Sequence, residues 1–235
     1  MTKVSILLLL AGLLACVNQK EGAVIGSWIT VNAGEHADNA YYGTLLTVDS
    51  NQFIFKSIGG PTDTISVQIL SDSIHLDTSS FSYHFDGKYL TNDYDSLNQV
   101  SYTRLVSNRS FDESQLLGII QNRQWEFAFD GVEYQITFLD TVSQRTLIRS
   151  EFRERVNTCE LRINSPLIRE RYAFELTYYA VENYNGQTFL RIENVFDYQF
   201  TWLLMVQEID ENKVRAVLWQ EGQKHTINLR NVSSI

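Results

Sequence analysis

The sequence predicts an all-β protein built from two tandem antiparallel meander barrels with a short helix between them in the chain. Three observations support this prediction. Apolar and polar residues alternate with a period of two, as in Thr64–Ile69 and Phe81–Phe85, which is typical of strands that place one face on a core. Turn-forming residues separate these segments about every 8–12 residues. Aromatic residues make up 12% of the 235 residues and proline occurs only twice, a composition that favours pleated sheets.

The chain begins with a predicted targeting segment. Lys3 precedes an apolar run over residues 4–14, which is shorter than the about 20 residues that a transmembrane helix requires. The run ends in Leu-Leu-Ala-Cys at Cys16, which resembles the lipobox of bacterial lipoproteins. This resemblance implies cleavage before Cys16 and lipidation of its thiol, so that residues 1–15 are a signal peptide and residues 16–22 a lipidated tether. An ordinary secretory signal is the alternative.

The same resemblance implies that the protein is located in the cell envelope. Two or three acyl chains on Cys16 would anchor the protein durably to a membrane. The residue after this cysteine is Val17 rather than the aspartate that retains enterobacterial lipoproteins in the inner membrane, so the outer membrane is expected. Cys159 would then be the one free thiol. It shares strand parity with Leu161 and Ile163, and it is therefore expected in a core.

A helix is predicted at the boundary between the two halves. Residues 23–109 form the first predicted β domain, which is a meander of short strands. Ser110 and Glu113 then have the spacing of a capping box. Apolar residues follow at helical intervals, and Asn122 is suited to end the last turn. The helix is expected over residues 110–121.

The second predicted β domain covers residues 110–235 and is the larger of the two. The turn pairs Asp130-Gly131 and Asn185-Gly186 separate some of its strands. The strands are predicted at Gln124–Phe129, Val132–Leu139, Arg145–Arg153, Thr158–Ile163, Arg171–Val181, Gln187–Glu193, Phe200–Ile209, Lys213–Trp219 and Lys224–Arg230.

The two halves resemble a divergent tandem repeat, since each opens on a strand with a tryptophan and closes on a strand with a late arginine. Gly26-Ser27-Trp28 resembles the G-x-W motif that opens lipocalin-like domains. The first half also ends in Tyr-x-Arg-Leu around Arg104, as short bacterial members of that family often do. The second half lacks G-x-W before Trp125.

This resemblance implies the fold and the closing residues. Each half would be an up-and-down barrel, closed by Trp28 and Arg104 in the first half and by Trp125 and Arg230 in the second. It also implies an interior cavity for an apolar or amphipathic ligand.

A row of arginines is the most distinctive polar feature. Seven of the thirteen arginines lie between positions 145 and 171. If residues 145–155 form one regular strand, one face carries Arg145, Arg149, Arg153 and Arg155. Turned into a barrel near Tyr172 and Tyr178, this row would bind an anionic head group. The alternative is a solvated face that neighbouring glutamates balance.

Aromatic residues crowd the segment 184–202. Most of them are expected in the core. Tyr184, Phe196 and Tyr198 fall in or beside predicted loops, where exposed rings often mark a partner surface. These three are therefore the candidate residues for contact with another protein.

Several function classes are disfavoured. A net charge of −9 argues against nucleic-acid binding, which requires a basic face. No nucleophile elbow, H-E-x-x-H motif or P-loop is present, so no enzyme activity and no cofactor are expected. His75 and His84 share the polar face of neighbouring predicted strands, which would place them opposite each other. Two histidines alone are too few for a zinc site, and no metal is expected.

The sequence therefore predicts a lipid-anchored envelope lipoprotein that binds a small apolar or amphipathic ligand in a barrel without catalysis. The alternative is a protein-interaction module, either an accessory subunit of an envelope complex or an inhibitor or immunity-type lipoprotein. The first hypothesis requires a cavity of several hundred cubic ångströms. The second requires filled barrels and an exposed aromatic patch on the loops.

Overall fold

The computed structural model describes residues 24–33, 45–56, 62–70, 73–76, 80–93, 99–106, 110–146, 153–164, 173–194, 200–220 and 223–232. The predicted targeting segment, with Cys16, lies outside these residues. The chain divides into two units, and the described residues up to Leu105 belong to the first and those from Val106 to the second. The predicted fold class, two tandem antiparallel barrels with a short helix between them, is confirmed. Within the described ranges, no helix is long and apolar enough to cross a membrane.

The first unit is a nine-stranded antiparallel sheet that curls into a nearly closed barrel. Its strand order is β4-β3-β2-β1-β9-β8-β7-β6-β5. Only Val67 separates β4 from β5, so the two edge strands of the sheet follow each other in the chain, and the Val67 N–H extends the β3–β4 pairing by donating to the carbonyl of Asn51 at 2.9 Å. The strands are β1 (Gly26–Ala33), β2 (Leu45–Val48), β3 (Gln52–Lys56), β4 (Thr62–Ser66), β5 (Gln68–Ile69), β6 (Ser73–His75), β7 (Ser80–Phe85), β8 (Tyr89–Asp93) and β9 (Gln99–Arg104).

Period-2 alternation predicts the core face of β7 correctly but not that of β4, where all five residues are exposed, Ile65 among them. In β7, Phe81 and Tyr83 are buried while Ser82 and His84 are exposed. The phenol of Tyr83 donates to the carbonyl of Leu70 at 2.7 Å, which satisfies its polar end inside an apolar cluster.

Trp28 and Arg104 meet at one end of this barrel. They stand opposite each other in the β1–β9 ladder, and the guanidinium carbon lies 4.8 Å from the centre of the fully buried indole. The indole N–H donates to the carbonyl of Val24 at 2.9 Å. Gly26 has a φ of +144° and lies close to the guanidinium, so glycine suits this position both for its backbone and for the space that it leaves.

Asn92 carries buried polar atoms in the first unit. The residue is fully buried in β8, and within the described residues neither its amide nitrogen nor its amide oxygen has a hydrogen-bond partner. An unsatisfied buried amide costs about 1–3 kcal/mol relative to an apolar group of the same shape.

We therefore expect Asn92→Leu to raise the free energy of unfolding by about 1–3 kcal/mol, measured by urea unfolding. Asn92→Asp, which buries a charge, is expected to lower it. A destabilising leucine variant would contradict the assignment.

The second unit is an eight-stranded closed barrel in which the strands are neighbours in chain order. Two of its hairpin turns have positive φ at both central residues, +51° and +72° at Asp130-Gly131 and +48° and +72° at Asn185-Gly186, as type I′ turns require. The elements are α1 (Glu113–Ile120), β10 (Arg123–Phe129), β11 (Val132–Thr146), β12 (Arg153–Asn164), β13 (Ala173–Tyr184), β14 (Gln187–Asn194), β15 (Phe200–Ile209), β16 (Lys213–Gln220) and β17 (Gln223–Asn231).

The N-cap of helix α1 lies two residues later in the chain than predicted. Asp112, and not Ser110, is the N-cap, and its carboxylate accepts the N–H of Gln115 at 3.0 Å. Hydrogen bonds from the Ser114 hydroxyl and this N–H lower the pKa of Asp112. The helix stops before Asn122, whose φ is +55°, as predicted. The capping-box spacing was misleading because the aspartate supplies the same acceptor closer to the helix.

The helix closes one end of the second barrel in addition to linking the units in the chain. Leu116 and Ile120 are fully buried in the same cluster as Trp125, Phe138 and Tyr179. The Tyr179 phenol donates to the carbonyl of Leu139 at 2.6 Å, and burial raises its pKa to about 12. Large side chains thus fill the barrel at this end.

Cys159 lies in this interior cluster, as its parity predicted. Burial raises the pKa of its thiol far above the usual range, so the thiolate that makes cysteine reactive is disfavoured. The thiol therefore packs as a small apolar group.

Candidate functional site

The ladder that closes the second barrel is short. β10 pairs with β11 at seven positions but with β17 at only two, Trp125 with Asn231 and Glu126 with Arg230. Continued by two residues, the ladder would set Ala128 opposite Asn228, and no such rung is present among the described residues. We call this break, formed by residues 127–129 of β10 and 226–229 of β17, the seam.

The two-residue turns determine which backbone groups face the seam. Phe129 and Val132 flank the Asp130-Gly131 turn and form a hydrogen-bonded pair, so every second residue of β10 bonds to β11 and those between them face β17. The N–H of Val232 donates to the carbonyl of Gln124 at 2.8 Å, which agrees with this alternation. Ala128 therefore turns its N–H and C=O into the seam.

The same argument applies to β17. Gln220 and Gln223 flank the turn between β16 and β17, so the odd-numbered residues of β17 bond to β16. Thr226 and Asn228 consequently present their backbone groups to β10. Both edges of the seam thus offer backbone donors and acceptors that the ladder does not use.

A cavity of about 320 Å³ lies along the seam. Its walls combine an aromatic part, a charged part and the seam backbone. The lining residues are Glu126, Phe127, Ala128, Glu133, Tyr134, Gln135, Thr226, Asn228 and Arg230.

Aromatic rings form the apolar part of this site. The rings of Phe127 and Tyr134 stack with nearly parallel planes, and their centres are 5.1 Å apart. The ring of Trp202 makes an edge-to-face contact with each of them, at distances of 5.6 and 5.0 Å between ring centres. Phe129 meets His225 edge to face at 5.1 Å across the seam. Among these residues, sequence reasoning had placed only Trp202 in an aromatic cluster. The alternation of β10 was the signal that would have found the phenylalanines.

Carboxylates dominate the charged part. Glu126 accepts a hydrogen bond from the Gln135 side-chain amide at 3.0 Å, which orients it, and Glu133 adds a second carboxylate. Arg230 is the one cation of the lining. Burial and, after it, the Asp130 carboxylate raise the pKa of the Tyr134 phenol. The site is suited to a ligand with an apolar body and a positively charged group.

Arg230 has a different place from the one predicted. Trp125 is fully buried and donates its indole N–H to the carbonyl of Ile120 at 3.1 Å, much as Trp28 does in the first unit. The residue opposite Trp125 is Asn231, whereas Arg230 is exposed. Arg230, which was expected to close the barrel with Trp125, therefore lies on the other face of the sheet, because a one-residue shift in register reverses the face of a strand.

The predicted arginine row does not form one strand. Residues 132–146 and 153–164 are two antiparallel strands. Arg145 pairs with Glu154, and the neighbouring pairs on either side contain Arg155 and Arg153. Adjacent rungs alternate between faces, so Arg145 and Arg153 belong to opposite faces and the single-strand prediction is wrong. Arg149 lies outside the described residues.

Tyr178 and Tyr184, the two described residues among the other predicted aromatic site residues, are not among the described lining of the seam cavity. Tyr178 is buried opposite Glu193 in the β13–β14 ladder, and Tyr184 is half-buried beside the turn at Asn185. Tyr172, Phe196 and Tyr198 lie outside the described residues.

The two histidines are not cross-strand partners. His75 pairs with Ser80 and His84 with Thr91. In the described part of the chain, no group of three or more histidine, cysteine or carboxylate side chains is placed to hold a metal ion.

No family model, curated protein or solved structure matches this chain. The resemblances to the lipobox and to lipocalin-like domains stay predictions.

Proposed function

We propose that this chain is a non-catalytic binding protein of the bacterial cell envelope, anchored through a lipid on Cys16, that holds a small amphipathic ligand with a cationic group. The observation that carries the proposal is the seam cavity, which joins a stacked aromatic pair to two carboxylates where the barrel ladder stops. Its volume of about 320 Å³ is at the lower end of the range for small-ligand pockets, about 300–1,000 Å³.

The packing of the second barrel supports the seam as the binding site. The sequence-based hypothesis placed the ligand inside a barrel. Near α1 the interior holds large buried side chains, among them Trp125, Phe138 and Tyr179. The seam cavity has both the space and the mixed chemistry that an amphipathic ligand requires.

Charge supports a cationic ligand. Glu126 and Glu133 outnumber Arg230 in the lining, and the whole chain carries a net charge of −9. A long-range negative field of this kind raises the local concentration of cations, and a carboxylate in a partly enclosed site binds an ammonium group more strongly than in bulk water. A lipid anchor on Cys16 would hold this site at a membrane surface.

Mass spectrometry of the full chain purified from its own host tests both parts of the proposal. The denatured mass is expected to show loss of residues 1–15 and added acyl chains on Cys16. The native mass is expected to show a bound ligand that leaves on denaturation. Thr226→Trp, which fills the seam from an exposed position, is expected to abolish this adduct, whereas the matched change Thr64→Trp on exposed β4 is expected to keep it.

Added probes make the test independent of purification. Hexylamine is expected to raise the melting temperature of the wild-type chain and of Thr64→Trp but not that of Thr226→Trp. Hexanoate, which has the same chain length and the opposite charge, is expected to have a smaller effect on all three. Equal responses of the two tryptophan variants to hexylamine, together with equal retention of any adduct, would rule out the seam.

A further inference from the structure

We propose that the seam binds an extended peptide segment with a basic side chain, which pairs with the backbone of Ala128 and Asn228 as an added strand. This inference rests on the seam being the binding site, and it names the class of ligand. It favours a polypeptide partner over a simple amphipathic amine.

Backbone groups at the end of the ladder are the first part of the argument. The N–H and C=O of Ala128 and of Asn228 face the seam, and the β10–β17 ladder has no rung between these two residues. Two strand edges that lie side by side without a ladder are a template for an additional strand. Main-chain hydrogen bonds supply the affinity when a peptide binds such an edge.

The side chains around the seam match the alternation of an extended peptide. Successive residues of a strand point to opposite faces. Here the inward side of β10 carries the ring of Phe127, stacked on Tyr134, and the outward side carries Glu126. A peptide with apolar residues flanking a lysine or arginine would place its apolar side chains towards the rings and its cation towards the carboxylates of Glu126 and Glu133.

The backbone groups distinguish a peptide from an amine. Hexylamine satisfies the rings and the carboxylates but leaves the N–H and C=O groups of Ala128 and Asn228 to water. A peptide satisfies these groups as well, with its own amides. Because these main-chain hydrogen bonds add to the affinity, blocking several peptide amides weakens binding about tenfold or more.

The experiment compares two probes on the full ¹⁵N-labelled chain in detergent micelles. Acetyl-Val-Lys-Val-amide and the same peptide with every backbone amide methylated are titrated while the amide signals of Ala128, Asn228 and the remote Thr64 are followed. The unmethylated peptide is expected to shift and protect the Ala128 and Asn228 amides and to leave Thr64 unchanged. The methylated peptide is expected to bind about tenfold more weakly or worse. Thr226→Trp is expected to abolish both responses and Thr64→Trp to keep them.

The outcomes separate this inference from the proposed function. Equal binding of the methylated and unmethylated peptides, lost in Thr226→Trp, overturns strand addition and leaves the seam as a binding site. If no peptide binds while hexylamine still distinguishes Thr226→Trp from Thr64→Trp, strand addition is also overturned and the seam remains a binding site. If neither the peptides nor hexylamine distinguishes the two tryptophan variants, both proposals fail. If acetyl-Val-Glu-Val-amide binds as tightly as the lysine peptide, a basic side chain is not required and that part of the proposal fails.

Discussion

Arg191→Ala is expected to lower the free energy of unfolding by about 3–5 kcal/mol. Arg191 is only 2% exposed, and its guanidinium lies 3.0 Å from Glu193 and 3.5 Å from Glu182, whose side chains are themselves mostly buried. Removing the cation takes the Arg191 charge away from two mostly buried carboxylates. Urea unfolding followed by circular dichroism measures the loss.

Arg215→Ala is the matched control for this change. Arg215 forms a shorter ion pair, 2.8 Å to Glu208, but its side chain is 42% exposed. Water screens such a pair, and its removal is expected to cost at most about 1 kcal/mol. The triple variant Arg191→Met, Glu182→Gln, Glu193→Gln is expected to recover part of the loss, because it removes the buried charges together. Equal effects of Arg191→Ala and Arg215→Ala would show that burial does not set the strength of the Arg191 pairs.

Trp125→Ala is expected to lower the free energy of unfolding by about 3–5 kcal/mol. The indole is fully buried beside α1 and donates to the carbonyl of Ile120. The variant loses the transfer free energy of a large ring, leaves a cavity in a filled interior and leaves that carbonyl without its donor. Differential scanning calorimetry and urea unfolding both measure this effect.

Two variants separate the components of the Trp125 effect. Trp125→Phe keeps most of the apolar volume but loses the indole N–H, so we expect less than half the loss. Trp219→Ala removes a ring that is only half-buried on β16, and we expect a much smaller loss because less apolar surface returns to water. A Trp125→Ala variant no less stable than Trp219→Ala would contradict the view that Trp125 is a central packing residue of the second barrel.

Local patterns in the sequence predicted most of the fold. Alternation identified the buried face of β7, and the Asp130-Gly131 and Asn185-Gly186 pairs located hairpin turns, because both features depend on neighbouring residues alone. The place of Cys159 followed from parity in the same way. The strand over residues 145–153 was wrong because an arginine-rich segment has no apolar alternation to mark where one strand ends and the next begins.

The candidate site was not predictable in the same way. Phe127, Ala128 and Asn228 lie on strands that are far apart in the chain and meet only where the barrel closes. Arg230 was expected to close the barrel with Trp125, but it is one residue away from the partner of Trp125, and one residue is enough to change the face of a strand. Register between distant strands is a long-range property, and no local pattern encodes it.

The sequence by itself determined the all-β class, the division by a helix, the main turns and the inward face of strands such as β7. Only the tertiary structure decided that α1 closes a barrel end, that the β10–β17 ladder stops after two rungs and that β14 is buried on both faces, with Arg191 on the face opposite to the interior residues Leu190 and Ile192. The physical reason is that period and turn chemistry act over a few residues. Burial of an outer face, pairing of ions and closure of a sheet depend on which distant residues come together when the whole chain folds.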